Sequence, residues 1–444
     1  MLHAGTTHAT FTVDVSVLSR SVQRVYFTRF VHLHARLVQK ILTMAMASSK
    51  RSYKPVLIAF MSWKDNEDYA GYDFAPTELT DITAHHVVEW FNLKAYGTTT
   101  PSEFDRPIHA RSHSLYHYKK ALSHFMPNKI MQWDELTGRG NPTRSQALND
   151  MTKLVKKFEC RGQGAPSKAR RALKEAEFRA MITQMRQAED IETKYLLPAL
   201  MSFQFHMIGR IDDCCKWKRE NLGIHDVHDK AAKARLAWSK NVTDERAAPW
   251  QHVFGCMDHV FCSLLNLALW LEVFHSRHHD GRVRPMVFGL SEILHDAERA
   301  GDDTKAKVYN LLCPFFDSIG LDHTEENNKL GSHSIRKYAS TWCRSNGISK
   351  DDKDHRGRWK SKRISDGYDD VQLDWIDARV AQVLCPGGVC AYEVVDQGCT
   401  NEWIATHVTP NVADVFGHAL AVLLGKALLW LAFSPYCNLT PSDI

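Results

Sequence analysis

The sequence predicts a mainly α-helical protein with one small β-sheet, an α+β fold in which a helical domain precedes a larger second domain. Its 444 residues exceed the size of one ordinary domain, and 44% hydrophobic with 24% charged residues is typical of a folded chain. Apolar residues recur at helical spacing through most of the sequence. Residues 161–168 contain two glycines and a proline, which interrupt every periodicity and indicate a linker.

The helical first domain is predicted over residues 75–158. Thr83 can cap a helix at its N-terminus, and Gly97 can end it. A second helix, residues 112–126, carries apolar side chains on one side and histidines with Lys120 on the other. A third helix follows with apolar positions at helical spacing. We expect the three helices to pack as a bundle.

A basic linker at residues 159–174 leads into the second domain, which is predicted over residues 175–370. The elements predicted there are helices at 175–210, 251–275 and 303–320, the last broken at Pro314, and a short hairpin at 236–250. A helical extension occupies residues 371–444. Its apolar stretch, residues 419–433, is shorter than the ~20 residues that a membrane span needs, so we expect a buried or partner-docking helix and no membrane contact.

Residues 1–50 are predicted to be a leader outside the folded domains. Between Arg20 and Lys40 this segment has five basic residues, and its composition resembles an organelle transit peptide. The alternative is a dispensable leader, with Met44 or Met46 as the natural start. The chain has eleven cysteines, an odd number without framework spacing, which predicts reduced thiols of an intracellular protein.

The residue types most suited to chemistry lie in two parts of the second domain. His333 and Arg336 are three residues apart, so on a helix they share one face. Arg210 supplies a second guanidinium, and two such groups can hold the charge of a phosphodiester through paired hydrogen bonds. Tyr368 is a candidate nucleophile, and a phenol of pKa about 10 needs a base such as His333. Lys240 is a candidate proton donor, since burial and neighbouring cations lower a lysine pKa.

Two sequence segments carry a resemblance to a known family. The C-terminal box of the tyrosine recombinases resembles two segments of this chain taken together. They are GSHSIRKYASTWCRSNG, residues 331–347, and RGRWKSKRISDGYDD, residues 356–370. That box has His-x-x-Arg, then His or Trp, then a tyrosine nine residues later, and Trp359 falls at the His-or-Trp position. The segment HMIGRIDDCCKWKRENL, residues 206–222, resembles the first arginine box of the same family. LAWSKNVTDERAAPWQ, residues 236–251, resembles the hairpin that carries the family's lysine.

The resemblance covers roughly residues 75–370 and is greatest to eukaryotic mobile-element recombinases of the Crypton and DIRS type. It implies DNA strand cutting and rejoining through a covalent 3′-phosphotyrosine, without metal, ATP or any cofactor. It implies a core-binding first domain that clamps double-stranded DNA, a tetramer on two DNA duplexes, and action in the nucleus. The catalytic residues that it implies are Arg210, Lys240, His333, Arg336, Trp359 and the nucleophile Tyr368. Asp213 is expected to orient Arg210 or His333, or else to be a simple helix-start acid.

Clustered basic residues predict where DNA phosphates would bind. Residues 153–174 contain eight Lys or Arg against one Glu, and residues 336–363 contain ten against three Asp. The net charge is only +5, so the distribution is more informative than the total. The DNA-binding candidates are Lys120, Lys156, Lys157, Arg161, Lys168, Arg170 and Arg171. For each segment, an ordinary solvated face remains an alternative.

Several functions remain open from the sequence. The chain can be an active recombinase or integrase of a mobile element, or a silent DNA-binding relic of one. A type IB topoisomerase shares the phosphotyrosine chemistry. A metal-dependent nuclease could use the polar segment from His275 to Asp280, which has the most metal-like spacing that we identified, although no partner motif accompanies it.

Overall fold

The computed structural model describes residues 52–239, 242, 248–277, 285–291, 293, 296–319, 329–359, 374–393 and 399–433. Helices make up most of these residues and the few strands are short, so the predicted mainly α fold with a small sheet is confirmed. The chain divides into two compact units, Met1–Ser167 and Lys168–Ile444. Each unit has its own hydrophobic core.

The first unit is built from four helices. They are α1 (52–65), α2 (Ala84–Tyr96), α3 (Ser112–Phe125) and α4 (Gln146–Cys160). The hydroxyl of Thr83 accepts the N–H of His86, and Gly97 ends α2 with a left-handed φ of 83°, so both predicted caps of this helix are confirmed. Phe60 of α1 and Trp90 of α2 pack edge to face in the core. The sequence patterns described above do not predict α1, which precedes the expected first domain at residues 75–158.

The second unit contains eleven α-helices among its described residues. They are α5 (Glu175–Arg186), α6 (Leu197–His206), α7 (Ile211–Cys215), α8 (Ser263–Arg277), α9 (Ala297–Ile319), α10 (Ser332–Ser345), α11 (Lys350–Arg356), α12 (Asp374–Val383), α13 (Asn401–Trp403), α14 (Pro410–Phe416) and α15 (His418–Phe433). Every residue of α6 is buried, and this helix packs against α5, α8 and α10. A helix that is apolar on all sides belongs at the centre of a domain.

Two small antiparallel sheets lie in the second unit. Their strands are β1 (Leu222–Ile224), β2 (Ala232–Ala234), β3 (Gln251–Val253), β4 (Gly255–Cys256) and β5 (Val389–Cys390). The first sheet has the order β1-β2-β3, and the second pairs β4 with β5. In the first sheet Lys233 faces both Gly223 and His252 across the ladder. The sheet therefore holds the turn after β1 close to strand β3.

Some local predictions were wrong. The predicted helix at 251–275 begins only at Ser263, because residues 251–256 form β3 and β4, and short apolar runs do not distinguish strand from helix by periodicity. Pro314 does not break its helix: α9 continues through it, since Leu312 and Phe316 stay packed in the core. The polar segment after Ser349 is helix α11, and the Ser349 hydroxyl caps it by accepting the N–H of Asp352.

Most of the described residues from 374 to 433 are helical, and α15 packs on α8 and α14 within this chain. Nine of its residues are buried, among them Leu424 and Ala427. Within the described part of the chain, no helix combines the length and hydropathy that crossing a membrane requires.

Candidate functional site

Arg210 is the N-cap residue of α7 and directly follows a strained turn. Ile208 has a φ of 44°, which is a true outlier for a β-branched residue, and Gly209 lies so close to Cys214 that a Cβ there would approach the sulfur to 2.8 Å. The guanidinium of Arg210 donates to the hydroxyl of Ser239 at 3.1 Å. The turn thus places the partly exposed arginine between α6 and α7.

Asp213 is the acidic partner of this arginine. Its carboxylate Oδ2 accepts the backbone N–H of Arg210 at 3.4 Å and lies 3.7 Å from the guanidinium. The side chain is fully buried, and Oδ1 has no hydrogen-bond partner among the described residues. A buried carboxylate in this state has a strong attraction for cations, so it can anchor the arginines around it.

His333 and Arg336 lie in the first turns of α10, as the spacing predicts. His333 is exposed, whereas Arg336 is only 5% exposed. The amide Nε2 of Gln204 donates to the carbonyl of Gly209 at 3.2 Å and to that of Ser332 at 2.9 Å. These carbonyls directly precede Arg210 and His333, so Gln204 fixes the two distant sequence boxes relative to each other.

The guanidinium of Arg336 has a mixed environment. Its Nη2 donates to the carbonyl of Gly357 at 2.5 Å, and its plane lies over the ring of Trp359, 4.2 Å from the centroid. Its Nη1 is buried and has no hydrogen-bond partner among the described residues. Burial lowers the pKa of Arg336 to about 9, with repulsion from Arg358 and Arg210 adding to the effect and attraction to Asp213 opposing it. The group therefore stays charged at neutral pH.

Trp359 is held by a close backbone approach. A Cβ on Gly357 would lie 2.0 Å from the six-membered ring of Trp359, so only glycine fits there. Arg358 between them has a left-handed φ of 54°. The ammonium of Lys353 lies 4.2 Å from the Trp359 centroid. The indole of Trp359 thus contacts two cations, Arg336 and Lys353.

His333 is positioned to stay neutral. Partial desolvation lowers its pKa below the ordinary value, and the charges of Arg336 and Arg210 lower it further. Asp213 opposes these effects. A neutral imidazole at physiological pH has a free lone pair that can accept a proton.

Arg358 is a buried cation that the sequence reading did not select. Its guanidinium donates to Oε1 of Gln251 at 2.5 Å and to the carbonyl of Met207 at 3.0 Å. Burial lowers its pKa to about 10, while the attraction of Asp213 opposes this. It links β3 to the turn before Arg210. In the sequence, Arg358 is one of many basic residues in a basic segment, so nothing there distinguishes it from a surface charge.

Lys240, Tyr368 and residues 278–280 of the predicted metal-like segment lie outside the described residues. The structure describes the other five predicted catalytic or orienting residues, and contacts or electrostatic interactions join each of them to at least one other. They are Arg210, Asp213, His333, Arg336 and Trp359. Lys240 belongs to residues 235–250, which connect strands β2 and β3. The two paired strands therefore lie on either side of the hairpin that was predicted at residues 236–250.

The DNA-binding candidates differ in their surroundings. Six are exposed: Lys120, Lys156, Lys157, Arg161, Lys168 and Arg170. Arg171 is partly buried and forms a two-pronged ion pair with Glu177, at 2.8 and 2.5 Å. Its charge is already compensated, so it is a weaker candidate for a phosphate contact than the others.

Comparisons with known proteins give a limited result. No family model matches the chain, and no curated protein does. Among solved structures, an Flpe–Holliday junction complex matches with TM-score 0.37 and 13% identity, over 64% of this chain and 73% of that one. An FLP recombinase–Holliday junction complex matches with TM-score 0.35 and 12% identity, over 57% and 62%. A mutant Flpe–DNA Holliday junction complex matches with TM-score 0.38 and 13% identity, over 63% and 72%. TM-scores this low do not establish membership of a family.

Proposed function

We propose that this protein cuts and rejoins DNA strands through a covalent 3′-phosphotyrosine, as a site-specific recombinase or integrase of a mobile element. The observation that carries the proposal is Arg336: a buried, charged guanidinium with an unpartnered Nη1 beside Arg210 and His333. A desolvated cation that still has an unpartnered N–H donor attracts an anion. A phosphodiester supplies such an anion.

The two arginines would bind the non-bridging oxygens of the scissile phosphate. Trp359 and the Gly357 carbonyl hold the guanidinium of Arg336 in one orientation, while Ser239 and Asp213 hold that of Arg210. Preorganised donors of this kind stabilise the charge that grows in the transition state.

The proposed reaction needs a nucleophile, a base and an acid. The phenolic oxygen of Tyr368 forms a bond to phosphorus, the bond from phosphorus to the 5′ oxygen breaks, and the phosphotyrosine stores the energy for rejoining. His333, kept neutral by its neighbours, would accept the phenolic proton. Lys240 would protonate the departing 5′ oxygen. In the reverse step the freed 5′ hydroxyl attacks and the tyrosine leaves.

The first unit would provide a DNA clamp. A cavity of about 670 Å³ on this unit is lined by Lys119, Lys120, Lys129 and Arg144 together with Tyr53 and Tyr116. Basic and aromatic side chains in one concave surface suit a nucleic-acid backbone. We further propose assembly as a tetramer on two duplexes, action in the nucleus, and a reaction without metal or ATP.

A silent DNA-binding relic and a type IB topoisomerase are the alternatives. The relic would bind DNA but form no adduct. The topoisomerase would relax supercoiled DNA as a monomer and would not form synaptic complexes of two duplexes. Adduct formation and synapsis therefore separate the three functions.

The decisive experiment uses a nicked DNA substrate whose cleaved fragment diffuses away, so that the covalent intermediate accumulates. We expect the full chain to form an adduct in EDTA, and Tyr368→Phe to form none while binding DNA as before. Tyr338→Phe is the matched control, because the Tyr338 hydroxyl is buried without a hydrogen-bond partner among the described residues and only 6% of the residue is exposed. An adduct mapped by mass spectrometry to a residue other than Tyr368 would refute the nucleophile assignment. Wild-type protein that binds DNA but gives no adduct would support the relic.

A further inference from the structure

Three histidines lie close together at the three-stranded sheet. His225 directly follows β1, His228 lies in the β1–β2 turn, and His252 lies in β3. One ligand atom from each ring lies within 4.8 Å of the other two. Nothing in the proposed reaction uses these rings.

His252 already has the arrangement of a metal-binding imidazole. Its Nδ1 lies 3.1 Å from Oδ2 of Asp377, and its backbone N–H donates to the same oxygen at 2.6 Å. The other carboxylate oxygen accepts Nη1 of Arg356 at 2.6 Å. A carboxylate at Nδ1 places the ring proton there and leaves the Nε2 lone pair free.

That lone pair is buried and unused. His252 is 1% exposed, and its Nε2 has no hydrogen-bond partner among the described residues. A buried polar atom normally finds a partner, so an unsatisfied one in a well-packed strand requires an explanation. Two further imidazoles lie within 4.8 Å of the His252 ring, and imidazoles are ligands that borderline metal ions such as Zn²⁺ prefer.

We propose that His225, His228 and His252 form a binding site for a divalent transition metal, with Zn²⁺ as the best match. Zn–N bonds of about 2.1 Å in a tetrahedron set the nitrogens about 3.4 Å apart, so ligand atoms that are up to 4.8 Å apart must approach by up to about 1.4 Å. His228 is exposed and can move, and water can occupy the fourth position beside it.

His225 must rearrange for the metal to bind. Its Nδ1 accepts the backbone N–H groups of Val227 and His228, each at 3.2 Å, which places the proton of the neutral ring on Nε2. Its ring also stacks on that of His252, with centroids 4.1 Å apart. Metal binding thus releases or moves one proton and turns this ring, so His252 and His228 bind first and His225 completes the site.

The consequence of occupancy would be structural. The metal would tie the β1–β2 turn to β3, and β2 and β3 flank the segment that contains Lys240. The ion lies in the sheet and takes no part in the phosphodiester chemistry. The inference is therefore independent of the proposed function.

The test measures metal binding to the full chain, without DNA and without an affinity tag. Protein stripped with EDTA is titrated with Zn²⁺ against a chromophoric chelator, and with Co²⁺ while its visible spectrum is recorded. We expect one Zn²⁺ per chain, four-coordinate Co²⁺ bands, and at least a tenfold loss of affinity in His228→Ala. His113→Ala, an exposed histidine of α3, is the matched control and should bind as the wild type does.

A second variant guards against misfolding. In His225→Asn the amide oxygen can still accept the turn N–H groups, so the turn remains while a metal ligand is lost. This variant should retain its helical circular dichroism and bind Zn²⁺ at least tenfold more weakly. If His228→Ala and His225→Asn both bind with wild-type stoichiometry and affinity, or if Co²⁺ is only six-coordinate, the three rings are a stacked structural cluster and the proposal is wrong.

Discussion

Arg336→Met should change activity and stability in opposite directions. Burial, together with repulsion from Arg358 and Arg210, lowers the pKa of Arg336 from 12.5 to about 9, and at about 1.4 kcal/mol per pKa unit the charge costs up to about 5 kcal/mol in this environment. The hydrogen bond to Gly357 and the contact with Trp359 offset this cost by stabilising the folded state by about 3–4 kcal/mol. Methionine fills similar space without charge, so we expect a net gain of about 1–2 kcal/mol in the free energy of unfolding.

The same substitution should remove a donor to the scissile phosphate. Losing one preorganised donor typically costs about 100- to 1000-fold in rate, which is about 2.7–4 kcal/mol in the barrier. The assays are adduct formation on the nicked substrate and thermal unfolding, where each kcal/mol shifts Tm by about 2–4 °C.

Arg344→Met provides the matched control on the same helix. Arg344 is exposed and donates to the carbonyl of Ile348 at 2.6 Å, so its loss should leave the adduct rate unchanged. Arg336→Met protein that cleaves at the wild-type rate would refute the phosphate clamp. A fall in Tm of several degrees would show instead that Arg336 is a net structural stabiliser.

Three further predictions concern the same site. Gly357→Ala should abolish adduct formation and lower Tm, because its Cβ would collide with Trp359 at 2.0 Å; normal activity would contradict the described packing. Gln204→Met should slow cleavage more than it weakens DNA binding, since it releases the turns before Arg210 and His333; equal losses in both would argue for a purely structural role. Because the pKa of His333 is lowered, its base function is lost only as pH falls through that value, so the acid limb of the cleavage rate should lie below the ordinary histidine range. His333→Gln should remove this limb, and a limb that persists in the variant would exclude His333 as the base.

Local chemistry made parts of this structure predictable. The helix from Ala84 to Tyr96 has a threonine cap and a terminal glycine, and both signals act over a few residues without tertiary help. The His-x-x-Arg spacing placed His333 and Arg336 on one helix because helical geometry depends only on residue number. Apolar spacing identified α3, α4 and α15 in the same way.

Other features had no local signal. Residues 251–256 form strands because β2 and β5 lie beside them, and no periodicity within the segment records such partners. The burial of Arg358, the double hydrogen bond of Gln204 and the meeting of His225 with His252 each join residues that are distant in sequence.

The sequence by itself determined the helical fold class, the caps of individual helices, and the candidate residues for holding a phosphate. These depend on side-chain type and on spacing within one or two helical turns. Only the tertiary structure decided that Arg336 is buried with an open donor, that Trp359 supports it, and that three histidines converge on the sheet. Burial and unsatisfied hydrogen bonds are properties of what surrounds an atom, and that surrounding is assembled from distant parts of the chain.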